Sequence, residues 1–208
     1  MKLRLYHHPD GARIAYRERG TGPGLVLWHS ALLSHRELTP LVEGLEHRHR
    51  VILPDLPLHG DSEDRPRHPY TLDWLAEVAA AFCRDTAGPR PLVGGHGLGA
   101  GIALHAVETG QLLPDRLILM PNRMHRPAED PAWNRWLAAA RLGAVPVADR
   151  ILMHGARVAL RPGRGVRLSA RGNPAAGDVV RHALADVGGN ANLARSWAKL
   201  ARRWPSAP

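Results

Sequence analysis

The sequence predicts an α/β protein in which a mostly parallel sheet is flanked by helices and followed by a helical region. Over residues 1–122, short apolar runs alternate with helical stripes, and strands that alternate with helices pair in parallel through right-handed crossovers. A glycine-rich turn over residues 95–99 separates an apolar run from a helical one. The strand signal stops after residue 122. We therefore expect a core over residues 1–122 and a helical region over residues 123–208.

The first elements are predicted to form an antiparallel hairpin. Residues 2–6 and 12–17 alternate between apolar and polar side chains, as half-buried strands do. Pro9-Asp10-Gly11 lies between them and has the composition of a tight turn, because proline presets φ and glycine accepts positive φ.

The remaining strands are predicted from continuous apolar runs, which are typical of parallel strands covered on both faces. These runs are residues 25–28, 50–54, 92–93 and 117–120. One connecting helix is expected from Ser34, whose spacing to Glu37 matches a capping box, to about Leu45. A second is expected over residues 70–86 and a third after Gly99. Four more helices are predicted in the second half, over residues 131–142, 148–160, 174–187 and 190–203.

The net charge of +9 lies almost wholly in residues 123–208. A basic surface of this kind can bind an anionic ligand, a membrane or a nucleic acid. Nearly all of the basic residues there are single arginines without interleaved aromatic residues, and charge alone is not a nucleic-acid motif. We therefore expect solvated helical faces and consider nucleic-acid binding the poorer interpretation.

The composition indicates a cytoplasmic protein without a metal or cofactor. Cys83, the one cysteine, lies in an apolar helical stretch and is predicted to be a buried thiol. The N-terminal residues lack the apolar region of a signal peptide, and no apolar run has the length of a membrane span. No group of histidine, cysteine and acidic residues has the spacing of metal ligands.

Three motifs in order resemble those of the α/β-hydrolase fold. Residues 25–30 resemble the third strand and the His-Gly turn of that family, with Ser30 where glycine is usual. Residues 55–62 resemble the D-x-P-G-x-G-x-S loop after the fourth strand, with Leu58 in place of one glycine. Residues 95–99 resemble the G-x-S-x-G nucleophile elbow. The resemblance implies an α/β-hydrolase-like core and makes the helical region the cap of that family.

The same resemblance places Gly97 at the nucleophile position, and glycine has no side chain that can attack a substrate. The family's acid and histidine usually follow the seventh and eighth strands, which would lie beyond Pro208. An alternative acid position after the sixth strand falls on Asn122. The resemblance thus implies a protein without the standard triad. The backbone N–H groups of Ala31 and Leu98 would be the donors of its oxyanion hole.

Other side chains are candidates for the missing groups. Ser30 lies near the expected oxyanion hole, where it is either a displaced nucleophile or a serine whose hydroxyl caps a turn. Four histidines fall at predicted strand ends, and each is a candidate base or a loop histidine bonded to backbone: His29, His59, His96 and His125. Residues 95–100 also match a dinucleotide fingerprint, but Pro121-Asn122 stands where its acidic residue should be.

Three functions of different classes therefore remain open. The first is a pseudo-hydrolase that binds a small acyl or carboxylate ligand without efficient turnover. The second is an altered or partial form of a genuine hydrolase of carboxylic esters. The third is a non-catalytic interaction protein that uses its basic helical half. The sixth strand would be a sheet edge, so a homodimer or a complementing chain is expected there, and a monodisperse monomer in light scattering would contradict this.

Overall fold

The computed structural model describes residues 1–31, 33–62 and 68–120. These residues form a six-stranded sheet with the order β1-β2-β4-β3-β5-β6. The strands are β1 Leu3–His7, β2 Arg13–Arg19, β3 Gly24–Trp28, β4 Arg50–Pro54, β5 Leu92–His96 and β6 Arg116–Met120. The helices are α1 Val42–Leu45, α2 Leu72–Ala87 and α3 Leu98–Glu108. The helices predicted after residue 123, and with them the expected cap, lie outside the described residues.

The pairing of the strands confirms a mostly parallel sheet. β1 and β2 form the predicted antiparallel hairpin, and β2 also pairs antiparallel with β4. From β4 onward every neighbouring pair in the described sheet is parallel. The apolar runs were sufficient to predict these strands because parallel strands are covered on both faces and lack alternation.

One face of the sheet is covered by α2 and α3, with Phe82 of α2 at its centre. The Phe82 ring makes edge contacts with Tyr6, Tyr16 and Trp28 at centroid distances of 5.3 Å. α2 begins after Thr71, whose hydroxyl accepts a hydrogen bond from the backbone N–H of Trp74. Cys83 is fully buried on this face, as predicted, and burial raises the pKa of its thiol to about 12.

The other face is covered by the segment from Ser34 to Leu45, for which the prediction of a single helix was wrong. The single helix expected from Ser34 to Leu45 is replaced by two short 3-10 turns, His35–Glu37 and Thr39–Leu41, and the four-residue α1. The Ser34 side chain makes no capping hydrogen bond. The Glu37 carboxylate, which a capping box would direct back to Ser34, instead binds groups at the ends of β3 and β5. Tertiary partners therefore override the local capping pattern.

β6 is an edge of the described sheet. Ile118 and Leu119 are 47% and 38% exposed there. Exposed apolar strand edges can pair with other chains, so the homodimer or complementing chain expected at this edge stays a prediction. Among the described helices, none has both the length and the apolar character required to cross a membrane.

Candidate functional site

The site lies at the point in the sheet where the connections after neighbouring strands lead to opposite faces. β3 and β5 are neighbours, but the chain leaves them toward opposite faces of the sheet. After β3 it runs over the face that carries α1, and after β5 it enters α3 on the face that carries α2. In open parallel sheets this divergence creates a crevice at the carboxyl ends of the two strands. The segments after Trp28 and after His96 therefore form the crevice.

A sharp turn at Gly97 connects β5 to α3. Its φ of 54° and ψ of −116° lie in a region that favours glycine, and α3 begins at the next residue, Leu98. Gly99 permits the close approach of α3 to β3, because a Cβ there would lie 2.6 Å from the Trp28 Cβ and 2.7 Å from the His29 carbonyl oxygen. The Gly99 N–H donates to that same oxygen at 3.1 Å. The start of α3 is thus fastened to the segment after β3.

Two backbone N–H groups flank the crevice without a partner among the described residues. Leu98 is the first residue of α3, so its N–H has no acceptor within the helix. Neither the Leu98 N–H nor the Ala31 N–H donates to another described residue. Donors at a helix start favour an anion or a developing negative charge on oxygen. Ala31 and Leu98 are the residues predicted as oxyanion-hole donors.

His29 lies beneath the crevice and is committed to the backbone through both ring nitrogens. Its Nδ1–H donates to the Ser30 carbonyl at 2.7 Å, and its Nε2 accepts from the Leu56 N–H at 2.9 Å. Burial, and next the neighbouring His59, lower the pKa of His29 to about 3. The ring is therefore neutral and joins the ends of β3 and β4. The Ser30 hydroxyl has no hydrogen-bonded base among the described residues.

His59 is also buried, in the loop after β4. Its Nδ1–H donates to the Pro57 carbonyl at 2.8 Å, and burial lowers the pKa of His59 to about 4. The ring borders a small apolar pocket that Leu58, Tyr70 and Leu98 also line, with a free volume of about 10 Å³, near the space of one water molecule. Leu58 has a φ of 71°, so the backbone keeps a glycine-favouring conformation at the position where the resemblance implies glycine.

Because of His29 and His59, we expect the protein to lose stability in mild acid. Both have pKa values below the unfolded value of about 6.5, so the unfolded chain binds more protons between that pH and about pH 4. Each histidine should lower the free energy of unfolding by about 2 kcal/mol between pH 7 and pH 5. The pKa values of Asp10 and Asp55 are lowered, so protonation of these carboxyls reduces stability only at more acidic pH. Urea unfolding at the two pH values measures the loss.

Two variants distinguish the contribution of His29 and His59 to this loss from that of an exposed histidine. His59→Gln removes one of the two imidazoles whose pKa is lowered by burial and should reduce the loss between pH 7 and pH 5 by about half. His47→Gln changes an exposed histidine and should leave the loss unaltered. An equal pH dependence in the wild type and His59→Gln would contradict the assignment.

A buried ion-pair cluster fixes the loop after β4. The Asp55 carboxylate is fully buried and accepts from the His35 N–H at 2.7 Å, the His35 Nδ1–H at 2.9 Å and the Asp61 N–H at 3.0 Å. Burial alone would raise the pKa of Asp55, but the hydrogen bonds that its carboxylate accepts from His35 hold the pKa below its usual value. A Cβ on Gly60 would overlap the carboxylate. The loop therefore closes tightly around Asp55.

Arg17 supplies the positive charge of this cluster. Its guanidinium nitrogens lie 2.5 Å from an Asp61 oxygen and 3.6 Å from an Asp55 oxygen. Within the described residues, His35, Asp55 and Asp61 are the group whose donor atoms come close enough to hold a metal, within 4.8 Å of one another. The guanidinium already neutralises the negative charge of both carboxylates, which is the charge that a metal cation would otherwise balance. The donor set therefore fits an ion-pair cluster better than a metal site.

Glu37 is a site residue that the sequence interpretation missed. One carboxylate oxygen accepts from the Ser30 N–H at 2.7 Å, and the other accepts from the His96 Nδ1–H at 2.5 Å. The Glu37 side chain is 11% exposed and that of His96 is 33% exposed. The one sequence signal for Glu37 was its spacing from Ser34, which pointed to a local cap. The structure thus brings Ser30 and His96 together through this carboxylate, whereas His125 lies outside the described residues.

A mostly parallel sheet with a sharp glycine turn between strand and helix at its switch point is the arrangement of the α/β-hydrolase-fold class of proteins. The model of the alpha/beta hydrolase fold family matches residues 23–169, so the chain belongs to that family. Its structural neighbours include an N-acyl homoserine lactonase, solved as a serine-to-glycine mutant complexed with N-hexanoyl homoserine lactone. That structure is 21% identical, with a TM-score of 0.65, over 98% of this chain and 70% of the lactonase.

Curated relatives include an esterase. Pimeloyl-acyl-carrier-protein methyl ester esterase of Xanthomonas oryzae pv. oryzae is 41% identical over 91 residues, 43% of this chain and 33% of the esterase. An uncharacterized protein of Mycobacterium tuberculosis is 32% identical over 164 residues, 73% of this chain and 47% of that protein. The chain spans about a third to a half of the length of the curated relatives it matches.

Proposed function

We propose that this chain is a pseudo-hydrolase, which binds a small acyl or carboxylate ligand in the crevice without efficient turnover. The observation that carries the proposal is Gly97, which occupies the positive-φ turn between β5 and α3 where the family presents its nucleophile. The ligand would lie at the carboxyl ends of β3 and β5. Its oxygen would accept from the N–H groups of Ala31 and Leu98.

Physical magnitudes support binding over catalysis. An oxyanion hole and binding alone leave about 10³-fold acceleration over water when a catalytic triad is removed. A charge-assisted hydrogen bond contributes about 1.5–3 kcal/mol to binding, and this does not depend on a nucleophile. The lactonase neighbour, which holds N-hexanoyl homoserine lactone as a serine-to-glycine mutant, supports an acyl ligand for a fold of this kind.

The alternative is an altered or partial form of a genuine ester hydrolase. Its specific support is the identity to the methyl ester esterase of Xanthomonas, which extends over 43% of this chain. The third candidate, an interaction protein that uses the basic half, rests on the charge of residues 123–208. Steep salt dependence of binding to anionic vesicles or DNA, without any effect of crevice variants, would favour it.

The binding experiment uses hexanoate as the probe and calorimetry or ligand-observed NMR as the measurement. Leu98→Pro removes one N–H donor at the first position of α3, where proline is tolerated. The matched control Leu98→Ala also shortens the side chain but keeps the N–H. We expect Leu98→Pro to weaken binding about tenfold or more relative to Leu98→Ala, the equivalent of one charge-assisted hydrogen bond. Equal affinities of the two variants would contradict the assigned donor.

The turnover experiment separates the first two candidates. The wild-type chain and Gly97→Ser are compared in the hydrolysis of p-nitrophenyl esters. The proposal predicts no efficient turnover by the wild type. A large gain in Gly97→Ser would require an acid–base pair in the chain and would favour the altered hydrolase. Turnover by the wild type that is abolished by Ser30→Ala would overturn the pseudo-hydrolase interpretation.

A further inference from the structure

One side chain joins the two segments that carry the proposed donors. Ser30 directly precedes the Ala31 donor, and His96 lies two residues before the Leu98 donor. Glu37 binds both segments at once, because one of its oxygens accepts from the Ser30 N–H and the other from the His96 Nδ1–H. The distance of 2.7 Å from the Ser30 nitrogen is that of a charge-assisted hydrogen bond, and the His96 nitrogen lies closer still, at 2.5 Å.

The surroundings of Glu37 hold it in this bridging position. It ends a 3-10 turn that begins at His35, and His35 is itself fixed by Asp55 at the end of β4. The next residue, Leu38, is buried against the sheet. Both ends of the turn are thus anchored, so Glu37 projects from a rigid base. A long side chain loses less entropy in forming two hydrogen bonds when its backbone is already fixed.

The role of the bridge follows from what an oxyanion hole requires. Two donors act together only when their separation is fixed before the ligand arrives. The Gly99 N–H to His29 carbonyl bond holds one side of the two segments together, and Glu37 holds a second point. We propose that Glu37 is a positioning residue that sets the separation of the Ala31 and Leu98 N–H groups through Ser30 and His96. This inference rests on the proposed function.

Two variants of Glu37 in the full chain separate its reach from its charge. Glu37→Asp keeps the charge but is one methylene shorter and cannot span both partners. Glu37→Gln keeps the reach, since its oxygen can accept from Ser30 and its NH₂ can donate to His96 after the imidazole proton moves from Nδ1 to Nε2. Glu43→Asp, an exposed change on α1, is the control.

We expect Glu37→Asp to weaken hexanoate binding about tenfold and to accelerate exchange of the Ser30 amide at least tenfold, since one charge-assisted bond is lost. Glu37→Gln should stay within about threefold of the wild type in affinity, which is less than the effect of one lost hydrogen bond. Its His96 ¹⁵N shifts should report the other tautomer. The reverse pattern, with Gln damaging and Asp harmless, would show that the charge matters and would overturn the proposal.

The outcomes also distinguish a failure of this inference from a failure of the proposed function on which it rests. If the wild type binds no hexanoate, the proposed function fails, while Ser30 amide exchange in Glu37→Asp still decides whether Glu37 joins the segments. If the wild type binds hexanoate and neither Glu37 variant changes affinity or exchange, the function stands and the positioning role is wrong. If Glu37→Asp does not fold, the His96 tautomer and the affinity of Glu37→Gln decide the matter.

Discussion

Gly99→Ala is expected to lower the free energy of unfolding by about 3 kcal/mol, the upper part of the range for an overpacked site. The added methyl would lie 2.6 Å from the Trp28 Cβ and the Trp28 carbonyl oxygen, and 2.7 Å from the His29 carbonyl oxygen. Backbone atoms and a Cβ cannot rotate away as the end of a flexible side chain can. α3 must therefore move away from β3, and the Leu98 donor moves with it. Urea unfolding measures the loss, and hexanoate affinity should fall in parallel.

Gly44→Ala is the matched control for this substitution. Gly44 lies in α1, and a Cβ there would meet no atom within 4 Å. Alanine in a helix is favoured over glycine by up to about 1 kcal/mol, so this variant should be slightly stabilised. If both variants behaved alike, the close contact at Gly99 would not be the cause of the loss.

Asp55→Ala is expected to cost about 3–5 kcal/mol, the range found when one partner of a buried ion pair is removed. The variant leaves the His35 and Asp61 N–H groups without their acceptor and Arg17 without its buried counter-charge. The segments after β3 and β4 lose their common anchor, so the thermal unfolding midpoint should fall together with the free energy of unfolding. Calorimetry and urea unfolding measure both quantities.

Asp61→Ala provides the comparison within the same cluster. Asp61 is exposed, although its carboxylate pairs with Arg17. Exposed ion pairs contribute about 0–1 kcal/mol, so this variant should remain close to the wild type. A cost as large as that of Asp55→Ala would mean that the guanidinium pairing, and not the buried hydrogen bonds, stabilises the loop.

The sequence predicted the sheet well because each strand carried its signal locally. The hairpin around Pro9-Asp10-Gly11 and the apolar runs of β3 to β6 required no knowledge of distant residues. The position of Gly97 could also be predicted from the sequence, because strand, glycine turn and helix follow one another along the chain. Leu58 showed up as a departure from the family motif, and its positive φ explains why glycine is the residue suited to that position.

The candidate site was less predictable because its bonds join residues that are far apart along the chain. The spacing of Glu37 from Ser34 suggested a cap, but its actual partners are Ser30 and His96, the latter 59 residues away. The sequence favoured a loop histidine at His29 but left a base open, and the hydrogen bond from the Leu56 N–H to its Nε2 shows the structural role. Local patterns predict helices and strands, whereas the protonation and orientation of a side chain depend on tertiary neighbours.

The burial of Cys83 gives the chain an intrinsic reporter of its own opening. It is the one thiol in the sequence, and it is sealed between α2 and the sheet at the Phe82 side of the core. A thiol reagent can reach it only when α2 separates from the strands, so fraying at the sheet edges leaves the labelling rate unchanged. Under conditions where closing outpaces labelling, that rate measures the population of molecules with an open core. The energetic consequences of Gly99→Ala and Asp55→Ala can then be followed in native buffer without denaturant.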